Sequence, residues 1–383
     1  MSVSPYGVLL AIGPGTGPAG YLRCGWQPDR RWSIVVGMVF RRRLLAATVV
    51  CATVASGCSG AENTDQQPTS EPTSDSTVSP FPATTNLPAG DLPAALTLKD
   101  VRGRTIAARP FADFAVAAGT GIWVSGVAPG IVRYGDDGSI TASAAIRGDV
   151  TQALEQSDGE VLVPSRFPNA LTRIDATTGR TTSRVRFESG PVVEGAVGAI
   201  DDVAYVLLDE ADVGGGALIA VVRADRATTL PAPEGAVAVR AAFGSLWVPT
   251  RTDTVERYDL ATEEWLAIAV GPDPRFLDVG YGAVWVMNQG DGSVTRIDVE
   301  TDETEDIPVT GQRIGGGDLT TGGGAVWLRT DSQVARIDPE TRRVTHLLDL
   351  PPGSGSVAAT ERALLVTNHD HLAVHLVPLP LPR

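Results

Sequence analysis

Four histidines, His346, His369, His371 and His375, are the only imidazoles in this chain, and one local pattern among them could hold a metal: His369-Asp370-His371. Two imidazoles flanking a carboxylate suit a divalent cation, but a protein site needs further donors at fixed spacing. None is identifiable, so the triplet reads as an exposed polar turn. Glycine triplets at 214–216, 315–317 and 322–324 would cradle phosphate only ahead of a helix and with a lysine, and they read as turns instead. No serine sits in a nucleophile-elbow pattern. The remaining candidates are charged residues that precede a repeated apolar strand: Asp113, Asp149, Glu194, Arg240, Arg275, Asp278, Arg313 and Asp318. They are assigned to a ligand-binding set, because recognition concentrates on loops carried by a rigid scaffold. The reading calls for no catalytic residue, no metal and no cofactor.

The elements that must position these residues repeat. A short apolar strand recurs as Gly-Ile-Trp-Val, Gly-Glu-Val-Leu-Val, Asp-Val-Ala-Tyr-Val, Gly-Ser-Leu-Trp-Val, Gly-Ala-Val-Trp-Val, Gly-Ala-Val-Trp-Leu and Arg-Ala-Leu-Leu-Val. Its central position falls at Trp123, Leu162, Tyr205, Trp247, Trp285, Trp327 and Leu365, with gaps of 39, 43, 42, 38, 42 and 38 residues. A period near 40 belongs to four-stranded propeller blades and is too long for ankyrin or leucine-rich repeats. Apolar alternation and turn residues dominate, with no sustained helical spacing. The expectation is an all-β chain: a seven-bladed β-propeller of four-stranded antiparallel blades over residues 93–383. The recurrent aromatic fills the space between twisted sheets that cover one another. The last repeat stops at Pro378-Leu-Pro-Leu-Pro-Arg383 before a fourth strand. Residues Arg104 to Ala108 are therefore expected to pair there as its outermost strand, leaving no orphan edge. In such a ring the charged set above gathers at the mouth of the central channel.

A second motif lies about ten residues after each aromatic: Thr172-Arg-Ile-Asp175, Glu256-Arg-Tyr-Asp259, Thr295-Arg-Ile-Asp298 and Ala335-Arg-Ile-Asp338, each with Thr three residues on, at Thr178, Thr262, Thr301 and Thr341. The Asp accepts from backbone N–H groups of a turn and the Thr closes it, so the motif is hairpin chemistry before it is catalysis. Together, W-V-x-N followed by V-x-R-I-D-x-x-T resembles the YVTN-type and streptogramin-lyase-like propeller repeats, with Trp285-Val-Met-Asn288 and Leu365-Val-Thr-Asn368 nearest to the letters. The resemblance covers roughly residues 100 to 380 and implies the fold; the architecture hosts many activities. The lyase it implies uses a divalent cation, a histidine and a Glu-x-His pair, and this chain has no Glu-x-His. The expected function is binding of a protein, glycan or small ligand. The alternative is a metal-dependent lyase or hydrolase with a differently composed site at the channel mouth.

Charge and cysteine place the domain. The formal net charge is −14, and the first 57 residues carry six Arg and one Asp, leaving 25 basic against 44 acidic residues. So acidic a body lacks the cationic surface that nucleic-acid binding requires. All three cysteines, Cys24, Cys51 and Cys58, precede it, which excludes a disulfide or thiolate metal site from the repeats. Residues 38–57 carry Arg41-Arg42-Arg43, an apolar run from Leu44 to Ala55 and small residues before Cys58. That is the layout of an export signal, too short for a comfortable membrane span. Ala55-Ser-Gly-Cys58 resembles a bacterial lipobox, which implies lipidation at Cys58 and anchorage outside the cytoplasm. Residues 58–92, rich in Ser, Thr and Pro, read as a disordered tether that lets the body stand off the membrane. Residues 1–37 read as a non-native extension ahead of a start at Met38, and the protein is expected to be a monomer.

Overall fold

The computed structural model describes residues 20–26, 32–38, 92–209 and 216–382. Gly20–Trp26 and Trp32–Met38 pair as an antiparallel hairpin. Beyond Met38, the export segment, Cys58 and the tether through residue 91 lie outside the described residues.

Each repeat folds as an antiparallel meander, its strands running a to d outward from the ring axis. Blade one is Ala115–Ala118, Gly121–Val127, Gly130–Tyr134 and Ile140–Ala145. Blade two is Glu155–Ser157, Glu160–Ser165, Ala170–Asp175 and Thr181–Arg186. Blade three is Val192–Ile200, Val203–Leu208, Leu218–Arg223 and Arg226–Pro231. Blade four is Arg240–Ala242, Ser245–Pro249, Thr254–Asp259 and Trp265–Ala269. Blade five is Pro274–Gly280, Ala283–Asn288, Ser293–Asp298 and Thr304–Pro308. Blade six is Asp318–Gly322, Ala325–Arg329, Gln333–Asp338 and Arg343–Asp349. Blade seven takes Val357–Ala359, Ala363–Asn368 and Ala373–Pro378 from the end of the chain. Its fourth strand, Arg104–Ala107, pairs antiparallel with Ala373–Pro378, His375 standing opposite Thr105. Each strand a packs on strand a of the next blade, and the seventh packs on the first. The result is a seven-bladed β-propeller with no helix among the described residues.

One blade departs from four strands. Ala95–Thr97 adds a fifth strand to blade six, parallel to Arg343–Asp349. Leu96 and Leu98 pack against the buried cluster that holds Trp327, Leu348 and Val377, so the incoming chain covers the edge of blade six before it completes blade seven.

The repeated residues explain the packing. Trp123, Leu162, Tyr205, Trp247, Trp285, Trp327 and Leu365 all lie buried on strand b. Trp247, Trp285 and Trp327 donate their indole N–H to Ala242, Gly280 and Gly322 of their own blades, whereas Trp123 reaches Ala176 of blade two. The arginine of the second motif is the cross-strand neighbour of the aromatic, as at Trp247 with Arg257 and Trp327 with Arg336. Its guanidinium carbon lies 5.8 Å from the Trp247 ring and 6.0 Å from the Trp327 ring, a cation–π contact that also shields the ring edge from water. The Asp does form the turn. Asp338 Oδ1 accepts from Glu340 N at 3.1 Å, Thr341 N at 2.8 Å and Thr341 Oγ1 at 3.0 Å. The backbone hydrogen bond from Thr341 is the main reason its carboxyl sits below the usual range.

Candidate functional site

The innermost strands enclose an axial cavity of about 310 Å³ to which all seven blades contribute. Its polar wall comes from one register position. The residue paired across to the centre of strand b is Val116 in blade one, Glu155 in two, Gly198 in three, Arg240 in four, Asp278 in five, Thr320 in six and Ala358 in seven. Five of these, Val116, Glu155, Arg240, Asp278 and Thr320, line the cavity. Since strand side chains alternate, the positions two residues earlier face the same way. They are Phe114, Ala153, Ala196, Ala238, Phe276, Asp318 and Ser356, all buried. Phe114 and Phe276 meet edge to face across the axis, ring centroids 6.0 Å apart, and fill that layer beside the small or polar side chains of the other five blades. Gly195, at φ +74°, permits this approach: a Cβ there would stand 2.8 Å from the Phe276 ring.

Arg240 is the cation of the cavity, 9% exposed. Its Nη1 donates to Val197 O at 2.8 Å and to Val239 O at 3.2 Å, which pins the guanidinium to the backbone of blades three and four. Its Nε lies 3.3 Å from Glu155 Oε2 and 3.9 Å from Asp278 Oδ1, yet makes no hydrogen bond. Asp278 is held from its other side, Oδ2 accepting from Thr321 N at 2.6 Å and Thr321 Oγ1 at 3.1 Å. Glu155 Oε1 accepts from Gln156 N at 2.9 Å. Asp318 accepts from Ser356 Oγ at 2.5 Å and from its neighbour Leu319 N at 2.8 Å. Burial pushes the Glu155 carboxyl up to about 7 against the opposing pull of Arg240. It pushes Asp318 up to about 7 as well, against the Ser356 hydrogen bond. The cavity thus sets one fixed cation among three carboxyls, two of which titrate near neutrality.

Of the eight residues expected at the channel mouth, the structure brings Arg240, Asp278 and Asp318 together in this cavity. Glu194 and Arg275 form a separate ion pair at 2.7 Å, with Glu194 in an irregular stretch of strand a in blade three where the register shifts between Val192 and Val197. Asp113 is buried and lies 3.4 Å from His369 Nδ1, and His369 stacks on Phe111 at 4.4 Å. Burial alone would lower the His369 pKa, but Asp113, Asp370 and Glu194 outweigh it and raise it. Asp149 closes a turn by accepting from Thr151 N and Thr151 Oγ1. Arg313 makes an open ion pair with Asp273 at 2.6 Å. Cys58 lies outside the described residues. His369-Asp370-His371 occupies the turn between strands b and c of blade seven, and no group of three or more His, Cys, Asp or Glu among the described residues is placed to hold a metal.

Glu155 was not legible as a site residue, because Glu-Gln-Ser carries no strand signal of its own. Its signal is the phase of the repeat: Glu155, Arg240 and Asp278 each stand seven residues before the centre of strand b.

No family model matches the chain, and no curated protein does. Among solved structures, BamB from Moraxella catarrhalis aligns with a TM-score of 0.48 and 11% identity, over 70% of this chain and 85% of BamB. The computationally designed Ika8 protein aligns with a TM-score of 0.54 and 11% identity, over 71% of this chain and 98% of Ika8. The second likeness is one of fold.

Proposed function

We propose that this chain is a binding protein held outside the cytoplasm by a lipidated Cys58, whose propeller takes a small polar ligand in the axial cavity. The observation that carries the reading is the convergence of Glu155, Arg240 and Asp278 from equivalent positions of three blades onto one axial cavity. A ring that needed only to close could fill these positions with small apolar residues, as blades one, three and seven do with Val116, Gly198 and Ala358. Charged side chains cost desolvation free energy there unless they serve recognition. The lipobox-like Ala55-Ser-Gly-Cys58 and the Ser/Thr/Pro-rich segment after it support anchorage.

Two measurements test the reading. Native mass spectrometry of protein purified from its own cells is expected to show one small molecule per chain, released on unfolding. Fractionation of cells fed a labelled fatty acid is expected to place label and protein together in the membrane, and Cys58→Ser is expected to abolish both. A chain that is unlabelled and free of any bound molecule contradicts the proposal, and a turned-over product in place of a retained ligand marks an enzyme.

A further inference from the structure

The axial cavity is unevenly charged. Glu155, Asp278 and Asp318 surround a single cation, Arg240, whose Nη1 is already committed to backbone carbonyls. Asp278 Oδ1 stands 3.9 Å from Arg240 Nε, beyond hydrogen-bond reach. A second feature is Arg240 Nε itself: the residue is nine-tenths buried, it lines the cavity, and this N–H makes no hydrogen bond, its ion-pair partner Glu155 Oε2 lying 3.3 Å away outside hydrogen-bond geometry. Buried polar groups are normally paired, so an orphan donor beside under-used carboxylates marks two unmet needs at one place. The carboxylates need a donor carrying positive charge, and the guanidinium needs a neutral acceptor. The three carboxyls do not converge as metal ligands do, which directs the choice to an organic cation.

Resting on the binding reading above, we infer that the cavity recognises a small organic amine that carries a hydroxyl beside its ammonium group, of the amino-sugar or amino-alcohol class. The ammonium donates to Asp278 and Glu155, and the hydroxyl oxygen accepts from Arg240. Thr320 and Gln156 complete the wall, and the volume of about 310 Å³ holds a monosaccharide-sized molecule. Binding is linked to protons. Glu155 faces Arg240 and Asp278, while Asp318 faces Ser356, Arg240 and Asp278. A bound ammonium favours the ionised form of each carboxyl, so the ligand expels protons as it enters and its affinity rises with pH.

The test is isothermal titration of the full chain with glucosamine and ethanolamine, and with glucose and ethylene glycol as neutral counterparts. One amine is expected to bind with one-to-one stoichiometry and its neutral counterpart roughly a hundredfold more weakly, the discrimination a buried charge-assisted contact supplies. Between about pH 6 and pH 8 ethanolamine, which keeps its proton throughout, should tighten roughly tenfold for each carboxyl that ionises. Asp278→Asn should weaken the amine at least about tenfold more than it weakens any binding of glucose. Glucose binding as tightly as glucosamine, with loss in both Asp278→Asn and Glu155→Gln, overturns the ligand class and leaves the cavity as the binding site. Failure of all four compounds overturns the inference outright. Amine binding that survives both substitutions undiminished overturns the cavity reading as well.

Discussion

Replacing Glu155 with Gln removes a charge while preserving shape, and its effect on stability is expected to depend on pH. Burial moves the Glu155 carboxyl from an ordinary 4.5 up to about 7. Between those values the folded chain keeps a proton that the unfolded chain has released. Such a group contributes stability that is fully present below the unfolded pKa and is lost as pH rises through the folded one. At about 1.4 kcal/mol for each pH unit, wild type loses about 2.5 kcal/mol between about pH 5 and pH 8 through this one group. The amide has no proton to lose. Glu155→Gln should therefore gain about 2.5 kcal/mol on wild type across that interval, read as the difference between urea-unfolding free energies at the two pH values. His375, which burial and the charge of Arg329 push down to about 4, has the opposite pH dependence, but it is common to both chains and cancels. Parallel pH profiles for the two proteins would refute the desolvation of Glu155 in the axial cavity.

Trp285→Ala empties a fully buried site and removes the indole donor from Gly280 O; a cost of about 3–5 kcal/mol in thermal or urea unfolding is expected. Deleting Ala95–Ala107 strips the outer strand from blade seven and the fifth from blade six; hydrogen exchange should then quicken first in Ala373–Pro378. Asp338→Ala loses the turn bonds to Glu340 and Thr341, and at so exposed a hairpin a destabilisation of roughly 0.5 kcal/mol is expected. Because hydrogen bonding lowers that carboxyl, the contribution is present above its ordinary 3.8 and disappears as pH falls below it.

The blade count was legible because one position in each repeat does the same physical job. A large side chain at the centre of strand b fills the space to the following blade, as Trp247 does against blade five and Trp327 against blade seven, so the aromatic recurs even where the turns around it diverge. The Asp of the second motif was legible for a similar reason: its chemistry is local, contained within three residues. The arginine beside it was not, because its partner is a tryptophan on the neighbouring strand. Ala95–Thr97 escaped notice since three residues in parallel pairing carry no hairpin and too little alternation to register. The candidate site was half visible. Arg240, Asp278 and Asp318 stand out as charges ahead of apolar strands, but so do Asp149 and Arg313, which turn out to serve a loop and an open ion pair. Composition cannot separate those two groups. What separates them is pairing register, which puts Glu155, Arg240 and Asp278 at one height around the axis.

Electron density along the propeller axis, in crystals grown from protein isolated from its own cell envelope, would decide most directly whether this cavity is a binding site. Ordered density too large for water, within hydrogen-bond distance of Asp278, Glu155 and Arg240 Nε, is the expected result. A cavity holding only water, with a co-purified molecule bound elsewhere on the ring, would contradict it.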